Sequence, residues 1–171
     1  VTARNDWSST LGADNRSYMY TSVNLALLLQ DYIDPNKELF DLFKVRGSVA
    51  NVGNDTSPYQ LVQTFSVPGQ GYLGLTTLNA PSTRLNPDLK PENIESTEVG
   101  LELSLLDNNL TFDFAYYSIT TTDMIFSVPV PAATGYSFFL ENVGEVTNKG
   151  VELLLGYNII NNSEMRWNTS L

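Results

Sequence analysis

Along most of this chain large apolar residues fall on every second position, the period of a β-strand rather than of a helix. In Glu98 to Tyr117, "EVGLELSLLDNNLTFDFAYY", one row holds Val99, Leu101, Leu103 and Leu105, then Leu110, Phe112, Phe114 and Tyr116. The opposite row holds Glu98, Glu102 and Ser104, then Asp113, Ala115 and Tyr117. Between them Asn108 and Asn109, both tolerant of positive φ, predict a two-residue hairpin turn. That turn pairs Leu105 with Phe112, Leu103 with Phe114 and Ser104 with Asp113. A four-residue loop would set Glu102 against Asp113, a like-charge pair, and is disfavoured on that ground.

The same alternation predicts strands over Ser22–Gln30, from Phe43 to Gly53, over Tyr59–Val67, over Asn148–Tyr157, and from Met165 onward. Helical spacing is scarce; Pro35 to Phe43 is the one candidate, with Leu39, Phe40, Leu42 and Phe43 as its apolar positions. Strands that run up and down in turn put the long connectors at one end: Asp6–Thr21, about Gly53–Glu95, and Thr121–Thr147. The shorter connectors Asp31–Leu42, Leu106–Asn109 and Asn158–Glu164 fall at the other. A membrane barrel has this loop polarity, whereas a soluble sandwich seldom separates its loops so by length. Alternation alone leaves both open, because the row of Glu98, Glu102 and Asp113 would serve equally as a lumen lining or as the solvent face of a sandwich.

Composition narrows the chemistry. With no cysteine there is no disulfide framework, and with no histidine the usual general base and metal ligand are missing, so hydrolytic catalysis is not expected. The net charge of −10, with 9 basic residues among 19 acidic ones, argues against nucleic acid as a partner. Only 16% of residues are charged, low against roughly 25% in soluble domains. No run approaches the ~20 apolar residues of a membrane helix, although a barrel strand needs only ~10 in alternation. No phosphate-binding loop, dinucleotide fingerprint or metal-spaced cluster occurs, and no cofactor is expected.

Four blocks carry a likeness to a known family: "VTARNDWSSTLG", "FKVRGSVANVGNDTSPY", "LNPDLKPENIESTEVGLEL" and "ENVGEVTNKGVELLL". From Val1 to about Tyr157 they resemble, in order and near spacing, the barrel domain of SusC/RagA-type TonB-dependent outer-membrane transporters of the Bacteroidetes. The resemblance implies an all-β fold: an antiparallel transmembrane barrel of about 22 strands with a plugged lumen, long extracellular loops and short periplasmic turns. It also implies import of oligosaccharides or peptides with a SusD-like surface lipoprotein, driven through TonB, with outer-membrane lipid around the wall. No plug domain, TonB box or terminal aromatic strand end is recognised. Residues 1–171 are therefore expected to be a partial barrel domain, a fragment or a piece completed by other chains, since open strand edges in lipid cost several kcal/mol per unpaired group. The rival is a soluble all-β carbohydrate-binding or adhesion module.

Candidate residues follow from these rows and loops. Glu98, Glu102, Asp113 and Glu152 are expected to line a wet lumen. They do not read as a glycosidase pair, since Glu98 and Glu102 stand about 13 Å apart along one strand. Trp7, Tyr72, Phe126, Tyr136, Phe138 and Phe139 are the aromatics expected in the long loops and the candidates for cargo contact. Tyr116 and Tyr157, in the apolar row near strand ends, suit the aromatic girdle of a membrane interface. "NPDLKPE" reads as a rigid strap, "NDTSPY" as a turn in which Asn54 and Asp55 bond their own backbone, and Gly150 as a bulge or a site of close backbone contact.

Overall fold

The structure, a computed structural model, describes residues 1–36, 39–69, 72–162 and 164–171, with Tyr72 described through its backbone alone. Seven strands form one antiparallel meander: β1 (Thr2–Trp7), β2 (Ser17–Leu28), β3 (Phe40–Asn54), β5 (Glu92–Leu105), β6 (Leu110–Thr122), β9 (Glu145–Asn161) and β10 (Arg166–Ser170). A second sheet of three short strands is built from β4 (Thr83–Arg84), β7 (Ile125–Pro129) and β8 (Phe138–Asn142), with β8 central. The one α-helical turn, α1 (Gln30–Ile33), sits between β2 and β3. β9 has 17 residues, well beyond the ~10 needed to cross a bilayer, so the sheet continues past any apolar band.

Register carries the alternation across the sheet. Val45, Leu101, Phe114 and Leu153 stand on one rung, and Phe43, Leu103, Phe112 and Leu155 on the next. Gly47, Val99, Tyr116 and Val151 complete the face, which β2 extends with Val23, Leu25 and Leu27. These side chains stay open: Val99 is 52% exposed, Leu153 58% and Val151 62%. No second sheet covers them among the described residues, which rules out the sandwich core that would have buried this row. One rung further toward the long loops, Thr97, Ser118 and Lys149 end the apolar band.

Hydrophobic burial occurs elsewhere. Leu11, Leu89 and Leu140 make the core, with Tyr18, Leu61, Leu85 and Ile125 packed against it. They come from the connectors 8–16, 55–91 and 123–144 and the adjoining strands, all at one end of the sheet. The connectors 29–39, 106–109 and 162–165 lie at the other end, as the loop polarity predicts. The first pair differs little in length, because β1 runs on through Trp7 and β2 begins at Ser17, inside the expected Asp6–Thr21 loop.

Three expectations are corrected. The helix over Pro35–Phe43 does not form: Phe40–Phe43 belong to β3, where pairing with β5 overrides a local helical spacing, and Lys37 and Glu38 lie outside the described residues. Tyr59–Val67 is not a strand; it holds a single bridge, Ser66 to Asn79. The β5–β6 hairpin takes the rejected register, pairing Leu105 with Leu110, Leu103 with Phe112, and Glu102 with Asp113. Its loop runs over 106–109 with Leu106, Asp107 and Asn108 all at positive φ. The turn is held within the hairpin, where the Ser104 hydroxyl donates to Asn108 Oδ1 (2.8 Å), and from β3, where Asp41 Oδ2 accepts the Asn108 N–H (2.9 Å). Side-chain bonds of this kind offset the backbone strain of left-handed non-glycine residues.

Candidate functional site

The polar face of the sheet is organised by two cations of β3 that the alternation places in the same row as the carboxylates. Arg46 donates from both terminal nitrogens to Asp113 on β6, each at 3.0 Å, and from Nε to Glu98 on β5 at 3.3 Å. Lys44 Nζ meets Glu102 at 2.8 Å. To reach β6 the Arg46 side chain must cross β5, and it does so over Gly100, where a Cβ would lie 2.6 Å from Nε. No larger residue leaves that path open. The like-charge juxtaposition of Glu102 and Asp113 is thereby supplied with two cations, and the fork geometry of Arg46 suits the carboxylate it spans.

The four lumen candidates share this face: Glu98 opposes Tyr117, Glu102 opposes Asp113, and Glu152 opposes Ala115 one rung away. Glu98, Glu102 and Asp113 are each ion-paired, whereas Glu152 is exposed and makes no ion pair among the described residues. Tyr117 lays its ring over Gly150 of β9, where a Cβ would come within 2.5 Å of the hydroxyl; this is the close contact expected at that glycine. Lys149 and Glu152 fall on opposite faces by alternation, so they make no pair across the wall. A polar groove of about 390 Å³ is lined by Ser48, Ser96, Glu98, Tyr117, Asn148 and Glu152. Among the described residues no group of three or more potential metal ligands occurs.

At the loop end the strap of Asn86–Glu92 is anchored on every side. Leu89 is fully buried, and the Lys90 N–H and carbonyl both bond the Asn142 carboxamide (2.8 and 2.9 Å). Glu92 accepts the Ile125 N–H at 2.9 Å and the Asn54 amide at 2.8 Å. In "NDTSPY" the side chains reach across rather than back: Asp55 accepts from the Ser8 (2.5 Å) and Thr10 (3.2 Å) hydroxyls. The self-bonded turn is thus replaced by ties between loops.

The aromatic candidates are dispersed. Phe126, Val128, Phe139 and Glu141 share one face of the small sheet, the face turned away from Leu140 and the loop core. Arg84 of β4 sits over the Phe139 ring, 5.5 Å from its centroid, and Phe126 is 46% exposed. Phe138 lies on the Leu140 face by alternation, and Tyr136 is half-buried just before β8. Trp7 closes strand β1 opposite Ser17, exposed and on the side away from Asp6, rather than in a loop. Tyr72 opens a short 3-10 turn, and its side chain lies outside the described residues. Arg46, Lys44 and Arg84 were not singled out from sequence. Alternation puts Arg46 and Lys44 on the right face, but only the sheet order shows which carboxylates they meet.

The two-faced antiparallel wall and its loop cap are matched over residues 1–171 by the family model described as "TonB dependent receptor-like, beta-barrel". The chain belongs to the TonB-dependent receptor β-barrel family. TonB-dependent receptor P3 of Formosa agariphila is 31% identical over 99% of this chain and 17% of its own length. TonB-dependent receptor SusC of Bacteroides thetaiotaomicron is 25% identical over 99% of this chain and 18% of its own. In the solved RagAB peptide transporter, a chain 28% identical superposes with a TM-score of 0.86, over 98% of this chain and 18% of that one. The present chain therefore spans less than a fifth of these relatives. Its seven-stranded sheet is an arc of a TonB-dependent receptor barrel, bounded by β1 and β10.

Proposed function

We propose that this chain is a wall segment of an outer-membrane importer that takes up oligosaccharides or peptides with a SusD-like lipoprotein and draws its energy through TonB. The observation that carries the reading is the two-faced sheet: a continuous uncovered apolar face over β2, β3, β5, β6 and β9, backed by an ion-paired polar face. In that reading the apolar face meets lipid, while Glu98, Glu102, Asp113 and Glu152 line the wet lumen. The segment performs no bond chemistry. Cargo would meet the loop end, where the exposed Phe126 shares a face of the small sheet with Phe139, whose ring carries Arg84. Trp7, Tyr72, Tyr136 and Phe138 complete the proposed set, and plug and TonB contacts belong outside residues 1–171.

The test uses the full-length receptor in its own outer membrane. Cells carrying it are supplied with fluorescent malto-oligosaccharides and with a fluorescent tryptic digest of casein. Uptake of one class should disappear on deleting the receptor gene or tonB, and should fall severalfold for the Phe126→Ala, Phe139→Ala double variant. Recovery of the receptor in the soluble periplasmic fraction would refute the wall reading.

A further inference from the structure

We infer that the three long loops form one cooperative cap that opens only as a unit, with Leu89 as the residue that joins them. Leu89 stands between Pro87 and Pro91, which hold the strap extended, and it is the only fully buried large side chain among the described residues. Its core partners belong to the other two loops, Leu11 in 8–16 and Leu140 on β8 in 123–144.

Hydrogen bonds repeat the pattern. From the first loop, the Asn15 amide donates to the carbonyls of Asp88 and Leu89, both at 3.2 Å. From the third, Asn142 bonds the Lys90 N–H and carbonyl while also donating to the Asp123 carbonyl (2.8 Å). Loop and strap also touch backbone to backbone, since a Cβ on Gly12 would lie 2.9 Å from the Pro87 carbonyl oxygen.

None of the three loops has a core of its own in this structure. Each contributes one leucine to a single shared cluster, around which Leu61 and Leu85 of the second loop and Ile125 of the third also pack, so withdrawal of the strap unseats all three. Segments with one shared core and interlocked hydrogen bonds exchange their amides as one cooperative unit. The cap also aims the small sheet: Leu140 is pinned inward by Leu89, which turns Phe139, Phe126 and Val128 to the opposite face, where Phe126 is exposed. That last consequence for cargo rests on the import reading above, whereas the coupling of the loops does not.

Hydrogen exchange read by mass spectrometry on the full-length receptor in outer-membrane vesicles tests the coupling. In Leu89→Ala, exchange in 8–16, 86–92 and 138–142 should accelerate together, on the order of a hundredfold, because a large-to-small change at a fully buried leucine removes the shared core. The β5, β6 and β9 strands should stay as in the wild type, and the volume-conserving Leu89→Met should stay within about threefold of it. Acceleration confined to 55–91 would overturn the proposal. If Leu89→Ala does not insert, Asn142→Ala decides: joint acceleration of 86–92 and 123–144 supports the cap, and acceleration in 123–144 alone overturns it. Joint acceleration, with Phe126→Ala leaving uptake of both fluorescent probes unchanged, would sink the cargo role and leave the cap standing.

Discussion

Arg46 shows how one side chain can decide a register. It binds carboxylates on two neighbouring strands, and Gly100 clears its path. Charge-assisted hydrogen bonds contribute about 1.5–3 kcal/mol each when buried, and the partial exposure of this cluster lowers that figure. Arg46→Ala should therefore destabilise the folded wall by about 2 kcal/mol, read as a lower urea midpoint for the full-length receptor in detergent micelles. Arg46→Lys should recover less than half, since an ammonium cannot reproduce the fork. Glu102→Gln should cost little or nothing, because it relieves the contact with Asp113 while giving up a partly exposed ion pair with Lys44. A larger loss for Glu102→Gln than for Arg46→Ala would reverse this account.

Gly150 makes the matching case for packing. The Tyr117 ring occupies the space a side chain would need, so Gly150→Val should displace the ring and cost about 1–3 kcal/mol, the range for overpacked sites. The same urea titration reads it, and the double variant Gly150→Val, Tyr117→Ala should lose less than the sum of the two single changes.

Strands, taken as elements, differ in what each face tolerates. Leu153 on β9 shares a rung with Val45, Leu101 and Phe114, in the middle of the apolar band. Leu153→Arg should cost about 2–4 kcal/mol, the range for a cation at the bilayer midplane, measured by unfolding of the receptor in lipid vesicles. Glu152→Gln, the next residue on the same strand, should change the same measurement by less than about 0.5 kcal/mol, as expected for an exposed residue. Equal tolerance at both positions would mean that the apolar face does not meet lipid. The three-stranded sheet obeys a different rule, since Leu140 and Ile125 on one of its faces pack on the loop core while the other face carries the exposed Phe126.

At the scale of the whole molecule, burial and function part company. The large sheet has almost no protein core of its own, and the compact hydrophobic cluster belongs to the loops. A wall of this kind is stabilised by its ladders, its polar-face network and the solvent it faces, rather than by a second layer of protein. The loop cap, by contrast, is built like a miniature globular unit around Leu89.

Much of this is legible in the sequence alone. Period-two alternation needs only neighbouring residues, so the strands of the large sheet other than β1, the division into apolar and polar faces, and the end at which the long loops gather could be read from it. So could the shared face of Glu98, Glu102, Asp113 and Glu152, because parity is preserved along a strand. Two of the misreadings share one cause: each depended on a partner distant in the chain. The hairpin register was judged from Glu102 and Asp113 alone, but Arg46 and Lys44 stand two strand positions apart on β3, beyond the long 55–91 connector, and change the sign of that local cost. Phe40–Phe43 has a helical spacing that pairing with β5 overrules. No periodicity marks Leu11, Leu89 and Leu140 as one core, since each sits in a loop. Local pattern thus determined which residues face together, while only tertiary structure decided which of them meet: electrostatic and packing partners come from whichever strand or loop lies alongside, and adjacency in space is not written in the order of the chain.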